Sequence, residues 1–229
     1  MKKLRYFSKA ELALWLSSLS LIIISFILFD TESYLSLTAS LIGASSLIFC
    51  AKGNPFGEFL MIIFSIIYGI ISWGFTYYGE VITYLGMTAP MSLFALISWL
   101  KNPYGEKKSE VKVNRIKLSE TVFMLVLTLA VSFGFYFILK AFKTANLFMS
   151  TVSVATSFSA AYLTFRRSPY FALAYALNDL ILIILWILAS ISDISYLSVI
   201  ICFTVFLAND LYGFFNWLRM GKRQSQDND

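Results

Sequence analysis

Two Asn-Asp pairs carry most of the chemistry this 229-residue chain can offer: Asn178 and Asp179 in "LNDLILIILW", and Asn209 and Asp210 in "LANDLYGFFNWLRM". Both lie inside long apolar runs, with no Lys, Arg or His within two helical turns of either aspartate. A carboxylate sunk in such a run costs on the order of 2.5–3.5 kcal/mol on insertion scales. Two uses would justify that cost. In one, a protonated or amide-bonded aspartate ties its helix to the next. In the other, the oxygens await a guest that brings its own positive charge or hydroxyl protons, and proton coupling through the same aspartates is the rival within that reading. Positions seven apart share a helix face, so Asp179 lines up with Trp186, Asn209 with Asn216 and Asp210 with Trp217. The oxygens suit ribose-like hydroxyls, and the Trp186 ring face suits a flat or cationic ring.

Other chemistries are excluded by what is missing. With no histidine, Ser-His catalysis and His-metal sites fall away, and no P-loop is present to hold ATP phosphates. Cys50 and Cys202 lie in different apolar runs without paired spacing, which reads as two free, buried thiols. No metal, no cofactor and no catalytic residue are therefore expected. A membrane enzyme with Asp179 and Asp210 as an acid/base pair is one competing class, separable by product formation. A non-transporting receptor or importer subunit is another, which copurification with an ATPase would favour.

The elements that position these residues are membrane spans. The chain is 59% hydrophobic and 14% charged, more apolar surface than one soluble domain of this length buries. Runs of about 20 apolar residues, each long enough to cross the bilayer, recur almost without gaps. They give eight helices, at about 11–29, 33–51, 55–78, 81–100, 119–140, 145–165, 169–190 and 194–218. The first is an uncleaved span, since no small-x-small cleavage site follows it. Only the basic 101–118 segment, read as a solvated loop, and the tail from Gly221 lie outside the membrane. Eight spans put both termini on one side. Of the 18 Lys and Arg, 16 fall there, including Lys2, Lys3, Arg5, Lys52, Arg166 and Arg219, and only Lys140 and Lys143 fall opposite. That face is cytoplasmic, and the net charge of +5 is an orientation signal unrelated to nucleic acid.

An internal repeat organises the spans. "FCAKGNPFG" (49–57) aligns with "LTFRRSPYF" (163–171), superposing Lys52 on Arg166 and Pro55 on Pro169. "LFALISWLKN" (93–102) aligns with "LYGFFNWLRM" (211–220), superposing Trp99 on Trp217. A Trp followed by a cation is also an ordinary interfacial anchor, but two matches in the same order mark duplicate units. The expected fold is an all-α membrane protein with two parallel three-helix repeats. Residues 1–32 form an N-terminal segment and extra helix, 33–100 repeat one, 101–144 a loop and linker helix, 145–219 repeat two and 220–229 a tail. Facing bundles of this kind suit alternating access. Pro90 reads as a hinge or as a packing feature, and its counterpart is Ala208. In repeat one, Phe64 and Ser65, and Met91 and Ser92, stand opposite the Asn-Asp pairs, leaving Tyr68, Trp73, Thr88, Ser92 and Ser98 to touch the neutral part of a ligand or simply to pack.

"NPFGEFL", "YYGEVITYLGMTAPM", "WLKNPY", "LAYALNDLILIILW" and "FLANDLYGFFNWLRM" together resemble the PnuC family of bacterial vitamin transporters, in its nicotinamide riboside branch, over nearly the whole chain from the second helix onward. The resemblance implies a SWEET-like fold and facilitated diffusion of a non-phosphorylated nucleoside-like vitamin, trapped by a cytosolic kinase. It implies a seam site at Asn178, Trp186, Asn209, Asp210 and Asn216, to which the residue reading adds Asp179, Tyr68, Trp73 and Thr88. A pyridinium cargo would suit Trp186 and the uncompensated aspartates. Relatives carry thiamine, riboflavin or deoxynucleosides, which stay open as cargoes, and SWEET-like proteins often associate into homo-oligomers.

Overall fold

The computed structural model describes residues 6–74, 78–105, 107–144, 146–191 and 193–227. Eight helices among them are long and apolar enough to cross a membrane. They are α1 (Lys9–Phe29), α2 (Tyr34–Ala51), α3 (Phe56–Gly74), α4 (Ile82–Lys101), α5 (Leu118–Ala141), α6 (Leu147–Phe165), α7 (Tyr170–Ser190) and α8 (Leu197–Gln226). Lys2, Lys3 and Arg5, used above for orientation, lie outside the described residues, as does the last part of the expected 55–78 helix apart from Tyr78.

The starts and stops have local causes. Ser8 and Glu11 open α1 with a reciprocal capping box, Ser8 Oγ accepting the Glu11 N–H at 3.1 Å and Glu11 Oε2 the Ser8 N–H at 2.6 Å. After α2 the chain turns at Gly53, whose φ of 65° suits a residue without Cβ, and Asn54 Oδ1 accepts the Phe56 N–H at 2.9 Å to start α3. The matching turn after α6 places Arg167 at φ 57°, in the same left-handed conformation without glycine's freedom. One turn geometry serves both repeats.

The duplicated sequence is duplicated in its bonds. Trp99 Nε1 on α4 donates to the Thr164 carbonyl at the end of α6, and Trp217 Nε1 on α8 to the Cys50 carbonyl at the end of α2, both at 2.8 Å. Ser98 Oγ donates to the Phe165 carbonyl and Asn216 Nδ2 to the Ala51 carbonyl, again at 2.8 Å. Every partner in one bond is the repeat counterpart of a partner in the other. The likeness extends one helix further than the expected three. Lys52 pairs with Glu11 of α1 at 2.9 Å, and its counterpart Arg166 pairs with Glu120 of α5. The N-terminal helix and the linker helix thus brace equivalent turns.

Three regions differ from the expectation. The 101–118 segment is not wholly solvated: Pro103–Tyr104 pairs antiparallel with Lys107–Val111, and Val111 is 0% exposed because it packs beneath the tryptophan pair. The last helix runs on to Gln226, past the apolar stretch that defined it, held by hydrogen bonds from Gln224 to the hairpin. Before Pro90, Ile82–Thr88 winds as a π-helix. Proline offers no N–H to the ladder, the wider turn absorbs the lost register, and Thr88 Oγ1 satisfies the Thr83 carbonyl at 3.2 Å. The Ala208 stretch of α8 is unbroken α-helix.

Candidate functional site

The seam between the repeats has a closed end and an open end. At the basic end Trp99 and Trp217, both 0% exposed, stand 5.3 Å apart, with Phe171 4.9 Å from Trp217. With their N–H groups satisfied by the opposite repeat, these rings form a dry plug.

Above the plug lie the Asn-Asp pairs. Asn178, Asp179, Asn209 and Asp210 are 6%, 4%, 1% and 5% exposed, so none of them faces lipid. The Asp179 and Asp210 carboxyls lie within hydrogen-bonding reach of one another. Asp179 Oδ2 and Asn209 Oδ1 are buried with no hydrogen-bond partner. The amides are partly engaged. Asn178 Oδ1 accepts from Thr156 at 2.9 Å and Ser153 at 3.1 Å, while Asn209 Nδ2 donates to Ser18 at 2.9 Å and to the Val205 carbonyl at 2.8 Å. The contact between the aspartates ties α7 to α8, and the two unmatched acceptor oxygens are the atoms that a donor-bearing guest would meet.

At the far end a cavity of about 430 Å³ opens between the ends of α1, α3 and α7 and the starts of α2 and α8. Asp30, Glu32 and Asp193 line it together with Trp186, Tyr196 and five serines, and no described Lys or Arg does. Trp186 and Tyr196 are 5.2 Å apart at 51°, an aromatic wall. Asp193 Oδ1 accepts the Ser195 N–H at 2.9 Å, and that bond holds its carboxyl below the usual range, so it stays ionised. A smaller cavity of about 70 Å³ shares Asp30, Ser36, Ser198 and Val199 with the first and reaches inward to Cys202. Space, acid and aromatic surface therefore coincide above the polar seam.

The structure brings together only part of the expected set. Trp186 lines the cavity, and Tyr68, 4.6 Å from Tyr84, packs on the apolar cluster that Trp186 also borders. Asn216 belongs to the closed end, bonded to Ala51. Thr88 serves the π-turn. Trp73 is 65% exposed, outside the seam. One residue was missed: Glu58 in the first turn of α3 is 4% exposed and accepts from Cys50 Sγ at 3.3 Å and from Ser92, with no cation paired to it among the described residues. In sequence it looks like any glutamate offsetting a helix dipole, so no signal separates it from a surface residue.

Comparison with known proteins adds to this geometry. The sequence pattern of a family described as "nicotinamide mononucleotide transporter" matches residues 33–219. A nicotinamide riboside transporter PnuC of Neisseria mucosa is 24% identical over 86% of this chain and 76% of its own length. Another from Haemophilus influenzae is 21% identical over 84% of this chain and 82% of its own. A crystal structure of a vitamin B3 transporter PnuC superposes with a TM-score of 0.81 at 22% identity, covering 95% of this chain and 94% of that one. That likeness bears on the fold alone.

Proposed function

This chain belongs to the nicotinamide mononucleotide transporter family and is a multi-pass membrane transporter, and from that premise we propose that its cargo is nicotinamide riboside, moved inward by facilitated diffusion. The observation that carries the choice is the lining of the larger cavity: three carboxylates, an aromatic wall and no Lys or Arg among the described residues. The riboside is a pyridinium cation with ribose hydroxyls. It gains from the carboxylates and stacks on Trp186. The mononucleotide adds a phosphate, which meets like charge with nothing to pair it. The relatives' names and the electrostatics favour the riboside over the phosphorylated form that the family's description names.

With the basic end placed in the cytoplasm of a bacterial inner membrane, the structure is open outward and plugged inward. Cargo enters beside Trp186 and passes to the acceptors of Asp179, Asp210, Asn209 and Asn178, with Tyr68 bordering the path. Rocking of the repeats then opens the plug, where Asn216 is exposed in turn. Trp73 and Thr88 act outside this path, through the lipid boundary and the π-turn. The step draws on the riboside's own gradient. Net uptake depends on a cytosolic kinase that phosphorylates the arriving riboside.

Liposomes containing only this protein test the reading. Nicotinamide riboside uptake should exceed that of the mononucleotide, thiamine, riboflavin and deoxynucleosides at least tenfold. It should stop at equal concentrations and ignore a proton gradient, unless a kinase with ATP is enclosed, when it continues. Preference for the mononucleotide would refute the assignment.

A further inference from the structure

The hairpin segment is bonded to both repeats at the cytoplasmic end. We propose that residues 107–117 are the inner latch of the transporter, a strap that holds the repeats together around the tryptophan plug and must release repeat one before that end can open. The inference rests on the alternating-access reading above.

The strap touches the two repeats at equivalent points. The Val111 N–H donates to the Gly53 carbonyl at 2.9 Å, in the turn of repeat one, and the Asn114 N–H donates to the Arg167 carbonyl at 3.0 Å, in the turn of repeat two. The attachments are three residue steps apart, a reach of at most about 11 Å of extended chain. The two turns cannot move apart beyond that while both bonds hold. Between them the Val111 side chain, 0% exposed, fills the space under Trp99, Trp217 and Met220. Parting the repeats would have to expose it.

The attachments are unequal. To repeat two the strap adds Asn114 Nδ2 to the Arg166 carbonyl at 3.0 Å, and Gln224 of α8, which accepts the Val113 N–H at 2.8 Å and donates to the Val111 carbonyl at 3.0 Å and to Glu110 at 2.9 Å. Arg223 pairs with Glu110 as well. To repeat one it has the Gly53 bond, one from the Lys112 N–H to the Asn102 carbonyl at 2.9 Å at the end of α4, and the short pairing with Pro103–Tyr104, whose Tyr104 hydroxyl itself donates to Asp227 beyond α8 at 2.6 Å. The strap therefore rides with repeat two, and the bonds to Gly53 and Asn102 are the ones that yield.

Two cysteine pairs separate these roles. A Cβ built at Gly221 lies 3.9 Å from Val113 Cβ, and one at Gly53 lies 3.3 Å from Val111 Cγ1, so both pairs are within disulfide reach, Gly53→Cys taking the left-handed conformation that Arg167 holds in the matching turn and displacing the flexible Met220 Cε 2.9 Å away. Oxidised Gly53→Cys/Val111→Cys should lose uptake at least tenfold and regain it on reduction. Oxidised Val113→Cys/Gly221→Cys, tied to the repeat it already rides with, should stay within twofold of its reduced form. Uptake by oxidised Gly53→Cys/Val111→Cys at the reduced rate would overturn the latch. Uptake by the unaltered protein is the control for the reading beneath it: without it both fall, and with it only the disulfide result bears on the strap. A second measurement avoids cross-links. Cys50 is 4% exposed beside the plug, and in a Cys202→Ser background Gln224→Ala should speed its alkylation by a maleimide at least tenfold. An unchanged rate would count equally against the proposal.

Discussion

At the closed end the two repeats are interchangeable, and at mid-depth they are not. Trp99 and Trp217, and Ser98 and Asn216, exchange four bonds of 2.8 Å with the opposite repeat. Two helical turns along α8 from Trp217, repeat two carries Asn209 and Asp210 where repeat one carries Met91 and Ser92. The duplicated mechanics have been kept, and the chemistry has been gathered on one side. A closure that works by two bundles meeting needs matched surfaces. A small asymmetric guest is better held by groups converging mostly from one bundle.

The strongest challenge to this contrast removes the plug. Trp99→Ala and Trp217→Ala should each lower unfolding stability in detergent by about 3–5 kcal/mol, and by amounts equal within about 0.5 kcal/mol. A large inequality would show that the matched bonds are not matched in energy. The converse applies at mid-depth. Asp179→Asn or Asp210→Asn should reduce uptake of cationic nicotinamide riboside at least tenfold, about 1.4 kcal/mol, relative to its neutral dihydro form, whereas Ser65→Ala should change both less than twofold. Equal loss for both cargoes would remove charge from the account of the aspartates.

The braces offer a finer test. Glu11 and Lys52 are 5% and 17% exposed, Glu120 and Arg166 21% and 37%. Removing the carboxylate from the more enclosed pair strands a half-buried ammonium, so Glu11→Gln should cost about 2 kcal/mol and Glu120→Gln under about 1 kcal/mol, read by thermal unfolding. Asp193 gives the smallest effect. Because its folded pKa is depressed, its charge and its bond to Ser195 are fully present above the unfolded value near 4 and are lost only as pH falls through the folded one. Riboside affinity should thus be insensitive to Asp193 protonation between about pH 5 and 8, and Asp193→Asn should weaken it by the same modest factor across that range. An effect that changes within the window would place another titrating group in the cavity.

Much of this was legible in the sequence because a bilayer enforces strict rules. Eight spans, the repeat and the burial of Asn178, Asp179, Asn209 and Asp210 follow from length, apolarity and alignment. What escaped was whatever depends on tertiary neighbours. Val111 sits in a basic, polar stretch and is buried only because two distant turns and the end of α8 close over it. Glu58 looks like a helix-start acid and is enclosed because α2 and α4 supply Cys50 and Ser92. Asn216 lies two turns from Asn209 on the same face, yet its amide donates across to the Ala51 carbonyl of the opposite repeat, whereas Asn209 bonds its own helix and Ser18, since depth decides what an amide meets. The acid-lined cavity draws on loop ends that no helical period describes.

The unbroken run of α8 has a mechanical consequence. Asp210 and Gln224 are fourteen residues apart on one rod with no kink between them, about 21 Å at the usual rise. Any tilt imposed on the rod at the aspartate is delivered, like the swing of a tiller, to the glutamine that grips the strap.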